Sequence, residues 1–107
     1  MTVFSSSEAG AKLAPGQFER IAKALADPRR FALFEAIASG GECPNQRLCH
    51  DFPVSKATVS HHLKELTQAG LVESEKEGQF VRYRARRDVV KAYTRELMRR
   101  SGENPTI

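Results

Sequence analysis

Residues 55–72, SKATVSHHLKELTQAGLV, contain one amphipathic helix with a defined start and end. Ser55 is a favoured N-cap residue, and Gly70 is the residue type that most often follows the end of a helix. The apolar residues that share one side of this helix, at about 100° per residue, are Val59, Leu63 and Leu66. The pattern predicts a helix from Ser55 to Ala69 with this side buried in a core.

The opposite side of the same helix carries small, polar and basic side chains and no acidic one, with Glu65 at its margin. Its residues are Ala57, Ser60, His61, Lys64 and Gln68. Such groups can contact base edges and phosphates in a major groove. Upstream, Pro44 is expected to open a short third helix, which Pro53 ends because the residue before a proline disfavours helical dihedrals. Two helices joined by a turn at 52–54 are typical of a helix-turn-helix.

Two further helices are predicted before this pair. The apolar residues Phe18, Ile21, Ala22 and Leu25 follow a helical spacing, which indicates a first helix from Gln17 to Ala26. Asp27 and Pro28 are a favoured N-cap and first-turn pair and predict the start of a second helix. Gly40 and Gly41 are expected to end it.

After Gly70 the pattern changes to a period of two. Leu71–Glu77 and Phe80–Arg86 predict a β-hairpin around Gly78, with a basic side formed by Arg82, Arg84 and Arg86. Asp88 is expected to cap a last helix. Its apolar stripe, which includes Val90, Tyr93 and Leu97, has no evident partner in so small a domain. A second subunit is the natural partner for it.

Length and charge fit a single DNA-binding domain. The 107 residues are expected to divide into a flexible arm (1–16), one folded domain (17–100) and a flexible tail (101–107). The chain has no long apolar run and no export signal, which predicts a soluble, cytoplasmic protein without membrane contact. Residues 76–100 hold nine of the 17 basic residues and three acidic ones, a concentration typical of a surface that binds a polyanion.

Several segments together resemble the ArsR/SmtB family of bacterial transcriptional regulators. They are Ala24–Arg30 (ALADPRR) followed by Phe31, Leu33 and Ile37; Ser55–Leu63 (SKATVSHHL); Ala69–Val72 (AGLV); and Gly78 with Tyr83. The resemblance covers about Gln17 to Arg100. It implies a mainly α winged helix-turn-helix fold with five helices and a two-stranded β-hairpin wing.

The resemblance also implies a homodimer that represses transcription by binding an inverted-repeat operator in double-stranded DNA and leaves it when an effector binds. By position, the residues that match the recognition-helix contacts are Ser55, Lys56, Ser60, His61 and Lys64. The side-chain pattern adds to the predicted DNA contacts Ala57, Gln68, Lys76, Arg82 and Arg84. The predicted dimer interface joins the first and last helices through Phe18, Ile21, Val90, Tyr93 and Leu97.

The sequence does not identify the effector. Cys43 and Cys49 have five residues between them, unlike the Cys-x-Cys of family members that sense soft metals, and the last helix has no histidine. No metal site is therefore predicted, and His61 and His62 diverge too far on a helix to share an ion. Cys43, near a helix start, is a candidate reactive thiol, and Cys49 is expected in the core. A thiol-based, redox- or metalloid-responsive repressor that uses both is one alternative.

No enzyme and no cofactor are predicted. Cys49 and His50 are adjacent on a helix and point apart, and no phosphate loop or paired-carboxylate site is present. The second alternative is a winged helix that binds protein, because the fold alone does not dictate the partner. The arginines of the hairpin favour nucleic acid.

Overall fold

The helices and strands follow one another in the order that the sequence predicts, with one exception. The computed structural model describes residues 11–40, 42–44 and 55–103. Its elements are α1 (Gln17–Leu25), α2 (Pro28–Ser39), β1 (Glu42–Pro44), α3 (Lys56–Gln68), β2 (Val72–Glu77), β3 (Phe80–Ala85) and α4 (Arg87–Arg100). The mainly helical domain with a β-hairpin is confirmed. The described part of the chain holds four helices, not the five expected.

Capping interactions explain why the helices begin where the sequence predicts. The Asp27 carboxylate accepts the backbone N–H groups of Arg29 and Arg30 at 2.9 and 3.2 Å, and Pro28 follows it at the first helical position. Arg30 in turn donates from Nη1 to the Ala24 carbonyl at 3.2 Å, near the end of α1. The short turn between α1 and α2 is therefore held from both sides.

The exception is the segment at Pro44. Glu42–Pro44 is a strand that pairs antiparallel with β3, so the sheet has three strands in the order β1-β3-β2 and Cys43 lies opposite Tyr83 in the register. The predicted two-stranded hairpin is confirmed as β2 and β3, to which β1 adds a third strand, but the prediction that Pro44 opens a helix is wrong because Pro44 lies in β1. Position 43 precedes a proline, which favours extended backbone, and the edge of β3 offers it hydrogen-bond partners. The rest of the predicted third helix, including Cys49, lies outside the described residues.

The core lies where α1, α2 and α3 meet the start of the hairpin. Its largest fully buried side chains are Ile21, Leu33, Ile37, Leu66, Leu71, Val59 and Val72. Ile21 is predicted to contact a second subunit, but its exposed fraction is 0% and it has no surface to offer one. Leu13 packs against the core from the segment before α1. Among the described helices, none is long and apolar enough to cross a membrane.

A buried ion pair joins the end of the sheet to the start of α4. Asp88 is expected to cap α4, but Arg86 holds the N-cap position and Asp88 lies in the first turn with an exposed fraction of 5%. The two carboxylate oxygens of Asp88 accept hydrogen bonds from Arg86 Nε at 3.2 Å and Nη2 at 2.7 Å. These bonds lower the pKa of Asp88. The Arg86 side chain is thus used in this ion pair and is not part of the basic side that the sequence predicts for it with Arg82 and Arg84.

Replacing Asp88 by asparagine tests this ion pair. Asp88→Asn should lower the free energy of unfolding by about 1–3 kcal/mol at pH 7, because it removes the carboxylate to which Arg86 donates and leaves Glu73, 3.9 Å from Arg86 Nε, as the carboxylate beside this partly buried guanidinium. The folded-state pKa of Asp88 lies below its unfolded value, so its stabilisation is present above the unfolded value and is lost as the pH falls through the folded one. Urea denaturation of both proteins should therefore converge in acid, below about pH 4.

The matched control is Glu35→Gln, which removes an exposed carboxylate from α2. This change should alter the stability little at either pH. Equal losses in the two variants at pH 7 would contradict a specific role for Asp88.

Candidate nucleic-acid interface

Helix α3 presents the predicted polar strip to the outside. Its buried residues are Val59, His62, Leu63 and Leu66. The seven residues of this region that the sequence predicts as DNA contacts, Ser55, Lys56, Ala57, Ser60, His61, Lys64 and Gln68, are all exposed. At about 100° per residue, the five from Ala57 to Gln68 span a third of the helix circumference or less. This part of α3 therefore offers a continuous surface without a carboxylate, which we call the α3 strip.

The start of α3 is fixed by a pair of hydroxyl groups. Ser55 Oγ accepts the backbone N–H of Thr58 at 3.2 Å and lies 3.0 Å from Thr58 Oγ1. The Ser55 hydroxyl is thus used in holding the first turn of α3. No prediction singles out Thr58, although a serine followed three residues later by a polar side chain is the spacing of a reciprocal cap.

The end of α3 is fixed by Gln17, which lies far from it in sequence. Gln17 Nε2 donates to the Ala69 carbonyl at 3.0 Å, and Gln17 Oε1 accepts the backbone N–H of Ala14 at 2.8 Å. A side chain on Gly70 would collide with this amide, because a Cβ there would lie 2.5 Å from Gln17 Nε2. Gly70 also has a φ of +84°, which favours glycine. One amide therefore ties residues 11–16 to the C-terminus of α3.

The two histidines of α3 have different environments. His61 is exposed on the strip, whereas His62 has an exposed fraction of 8%, and the two ring centroids are 6.0 Å apart. Burial lowers the pKa of His62, which the Asp27 carboxylate partly opposes. His62 is therefore a neutral part of the core at pH 7. In the described part of the chain, no three His, Cys, Asp or Glu residues lie close enough together to hold a metal ion.

The hairpin does not have the basic side that the spacing of its arginines predicts. In the register of β2 and β3, Glu73 lies opposite Arg84 and Glu75 opposite Arg82, and directly opposed side chains share one side of a sheet. Arg82 also lies 3.5 Å from Glu77. The hairpin residues 72–85 hold three acidic and three basic side chains.

The reason for the difference is that β2 alternates in step with β3. Glutamates at 73, 75 and 77 follow the same period of two as Arg82 and Arg84, so both sets lie on the same side of the hairpin. Lys76 is opposite Val81 and lies on the other side, where it is exposed. The hairpin therefore does not bring the three predicted contacts Lys76, Arg82 and Arg84 together on one face.

The predicted dimer residues are only partly free at the surface. The rings of Phe18 and Tyr93 pack on each other with centroids 5.0 Å apart, and the Arg100 guanidinium lies 4.0 Å from the Phe18 centroid. These contacts join α1 to α4 within one protomer, and Val90 also packs against the core. Leu97 and Met98, in contrast, are 46% and 42% exposed. Met98 is not part of the predicted stripe.

Comparisons with known proteins identify the domain. Residues 25–75 match a family model described as a helix-turn-helix domain. The chain is 34% identical over 61 residues to the transcriptional repressor SdpR of Bacillus subtilis, an alignment that covers 57% of this chain and 67% of SdpR. Across the curated regulators that it matches, the chain spans between about half and two thirds of their length.

Solved structures agree with these matches. An ArsR-like transcriptional regulator from Rhodococcus sp. RHA1 superimposes on this chain with a TM-score of 0.74 at 28% identity, and the alignment covers 82% of each chain. The homodimeric winged helix-turn-helix DNA-binding domain of Mb0332 from Mycobacterium bovis gives a TM-score of 0.65 at 28% identity, over 79% of this chain and 85% of that one. The chain belongs to the ArsR/SmtB family of winged helix-turn-helix transcriptional regulators.

Proposed function

We propose that two copies of this chain form a dimer that represses transcription by binding an inverted-repeat operator, with α3 of each subunit in a major groove. The observation that carries the proposal is the α3 strip: an exposed helix surface without acidic residues, on a helix whose first turn is capped by Ser55 and whose C-terminal end is tied to α1 by Gln17. A helix that is packed on a core and held in this way presents its side chains to base edges in one defined orientation.

Within the strip, we assign base contacts to His61, Lys64 and Gln68, whose side chains can donate to or accept from bases. Lys56, near the N-terminus of α3, is placed to contact a phosphate together with the backbone amides there. Ala57 and Ser60 allow the helix to approach the groove closely. Ser55 acts mainly through its cap of the helix.

The hairpin contributes less than its arginines alone would predict. A phosphate near Arg82 or Arg84 also meets the charges of Glu73, Glu75 and Glu77 on the same side, which weakens its attraction. Lys76, on the other side, lies opposite Val81 rather than in the ladder of opposite charges. We therefore propose Lys76 as the main contact of the hairpin with the DNA backbone, with a smaller share for Arg82 and Arg84.

For the dimer, we propose an interface centred on Leu97 and Met98 of α4. Both are apolar and nearly half exposed, an unusual position for two adjacent large apolar side chains on a small domain. Val90 extends the same side of α4, while Phe18 and Tyr93 support it by joining α1 to α4. The homodimeric Mb0332 domain has the same architecture. In such a dimer, half-site centres lie about 10 bp apart or at a multiple of this spacing.

The protein-binding alternative predicts a different surface. The mixed charges of the hairpin and the exposed Phe80 are compatible with a protein partner, but the acid-free strip of α3 favours nucleic acid. The dependence of binding on salt separates the two. A protein that contacts phosphates loses affinity in proportion to the number of counterions released, whereas a mainly apolar contact does not.

The DNA interface is tested by sites selected from a random duplex library, with affinity then measured by fluorescence anisotropy over a range of salt. Lys64→Gln should weaken binding to the selected site about 5- to 100-fold and relax its base preference. Lys23→Gln removes the same charge from an exposed position of α1 outside the strip and should have little effect. Lys76→Gln should weaken all sequences alike and flatten the salt slope by about 1.

Equal effects of Lys64→Gln and Lys23→Gln would contradict a role for α3 in recognition. Binding that does not respond to salt would favour the protein-binding alternative.

The dimer is tested by placing a charge on the proposed interface. Leu97→Glu and Met98→Glu should each shift the protein toward monomer in sedimentation velocity and weaken binding to an inverted repeat more than to a single half-site, because a buried unpaired carboxylate is costly. Ala32→Glu, at an exposed position of α2, is the control and should remain dimeric. A dimer that tolerates both α4 changes with unaltered circular dichroism would place the interface elsewhere.

A further inference from the structure

A cavity of about 650 Å³ lies between residues 11–16, the beginning of α1 and one side of α4. Its volume falls within the range of small-molecule sites, about 300–1,000 Å³. Its apolar lining includes Leu13, Phe18 and Ala92. Charged side chains form much of the remaining lining, so the cavity offers both apolar and charged groups to a ligand.

The charged lining of the cavity has a net positive charge. Four cationic side chains, Lys12, Arg95, Arg99 and Arg100, line the cavity together with one carboxylate, that of Glu96, and Arg100 is also paired at 3.3 Å with Glu19, which is not part of the lining. Glu96 accepts hydrogen bonds from Arg99 Nη2 at 2.6 Å and from Arg100 Nε at 2.8 Å. These bonds lower the pKa of Glu96 to about 2, so the carboxylate stays ionised and fixes the two arginines at the cavity wall. The sum of these charges favours an anionic ligand.

The cavity shares its wall with the segment that fastens α3. Residues 11–16 form one side of it, and Ala14 in this segment donates its backbone N–H to Gln17 Oε1 at 2.8 Å. The same Gln17 amide donates to Ala69 at the end of α3 at 3.0 Å. A ligand that moves residues 11–16 therefore acts on the amide that positions the end of α3.

The cavity and the proposed dimer interface lie on different sides of α4. At about 100° per residue, the cavity residues Ala92, Glu96 and Arg99 are centred roughly opposite Leu97 and Met98. When a second subunit binds at that interface, the cavity residues therefore lie on the side of α4 that faces away from it.

We propose that this cavity binds a small amphipathic organic anion, a monocarboxylate with an aromatic or aliphatic body, and that its binding lowers the affinity for DNA through Gln17. The carboxylate lies against the arginines of α4 and Lys12, and the apolar body packs on Leu13, Phe18 and Ala92. The effect on DNA rests on the proposed function, whereas the binding of the anion does not.

The binding site is tested without DNA, by titrating the full chain with benzoate, 2-naphthoate and octanoate in a calorimeter. At least one carboxylate should bind, and its neutral amide should bind at least ten-fold more weakly. Arg95→Gln, which removes an exposed guanidinium from the cavity wall, should weaken the carboxylate at least five-fold. Lys23→Gln removes one charge from α1 outside the cavity and should not. Ala92→Leu, which places a larger apolar side chain in the lining of the cavity, should abolish binding.

Three results would overturn the site: no binding by any of the three carboxylates, equal binding of acid and amide, or binding that Arg95→Gln and Ala92→Leu leave unchanged.

The coupling is tested by anisotropy on the selected duplex with the carboxylate that binds. Saturation should weaken DNA binding at least five-fold in the unaltered chain, and bound DNA should weaken the carboxylate by the same factor. Gln17→Met keeps the size of the side chain and removes both hydrogen bonds, so it should still bind the carboxylate but lose its effect on DNA. An undiminished effect in Gln17→Met would overturn the coupling. Binding of the carboxylate by a chain that binds no duplex would contradict the proposed function and leave the site intact.

Discussion

The burial of one side of α3 is the constraint on which the rest of the interface depends. Val59, Leu63 and Leu66 are almost inaccessible to solvent, and each such side chain stabilises the packed helix by about 1.5–3 kcal/mol. The Ser55 cap adds about 1 kcal/mol. Burial therefore decides that α3 packs on the body, the Ser55 cap stabilises its first turn, and the Gln17–Ala69 hydrogen bond holds its C-terminal end to α1. Because a helix with one buried side must expose the opposite one, the same leucines that make the core aim His61 and Lys64 outward.

The net charge of the hairpin is lower than the composition of residues 76–100 suggests. The basic excess of residues 76–100 is +6, of which residues 76–86 and α4 each hold +3, but the complete hairpin (72–85) also includes Glu73 and Glu75 and so balances three acidic against three basic side chains. The exposed pairs of the hairpin add little stability, about 0–1 kcal/mol each. Their effect is on the local potential, since opposite charges a few ångströms apart nearly cancel for a phosphate that is farther away than their separation. Of the three basic side chains of the hairpin, Lys76 is the one with no acidic residue directly opposite it in the register.

Local signals in the sequence are sufficient for the four described helices and the hairpin, but not for the strand at Pro44, where they predict a helix. Asp27-Pro28, Ser55 and Gly70 place the helix ends within about one residue, because each acts on backbone groups in its own turn. Local signals do not show which residues meet when they are distant in sequence. The Gln17–Ala69 hydrogen bond spans 52 positions, and the pairing of Cys43 with Tyr83 is also between distant positions. The glutamates of β2 are an intermediate case. Their period of two is visible beside that of the arginines, but only the register shows that both lie on one side.

The strength of any coupling through Gln17 is limited by the hydrogen bonds it makes. A single intramolecular hydrogen bond contributes about 0.5–1.5 kcal/mol net, so loss of both bonds of the Gln17 amide changes the free energy of positioning α3 by about 1–3 kcal/mol. This corresponds to a change in DNA affinity of about 5- to 150-fold, the usual range of coupling between two sites. The leucines beneath α3 contribute more than this in total. A ligand beside residues 11–16 can therefore loosen the end of the helix without detaching it from the core, which is what a reversible regulator requires.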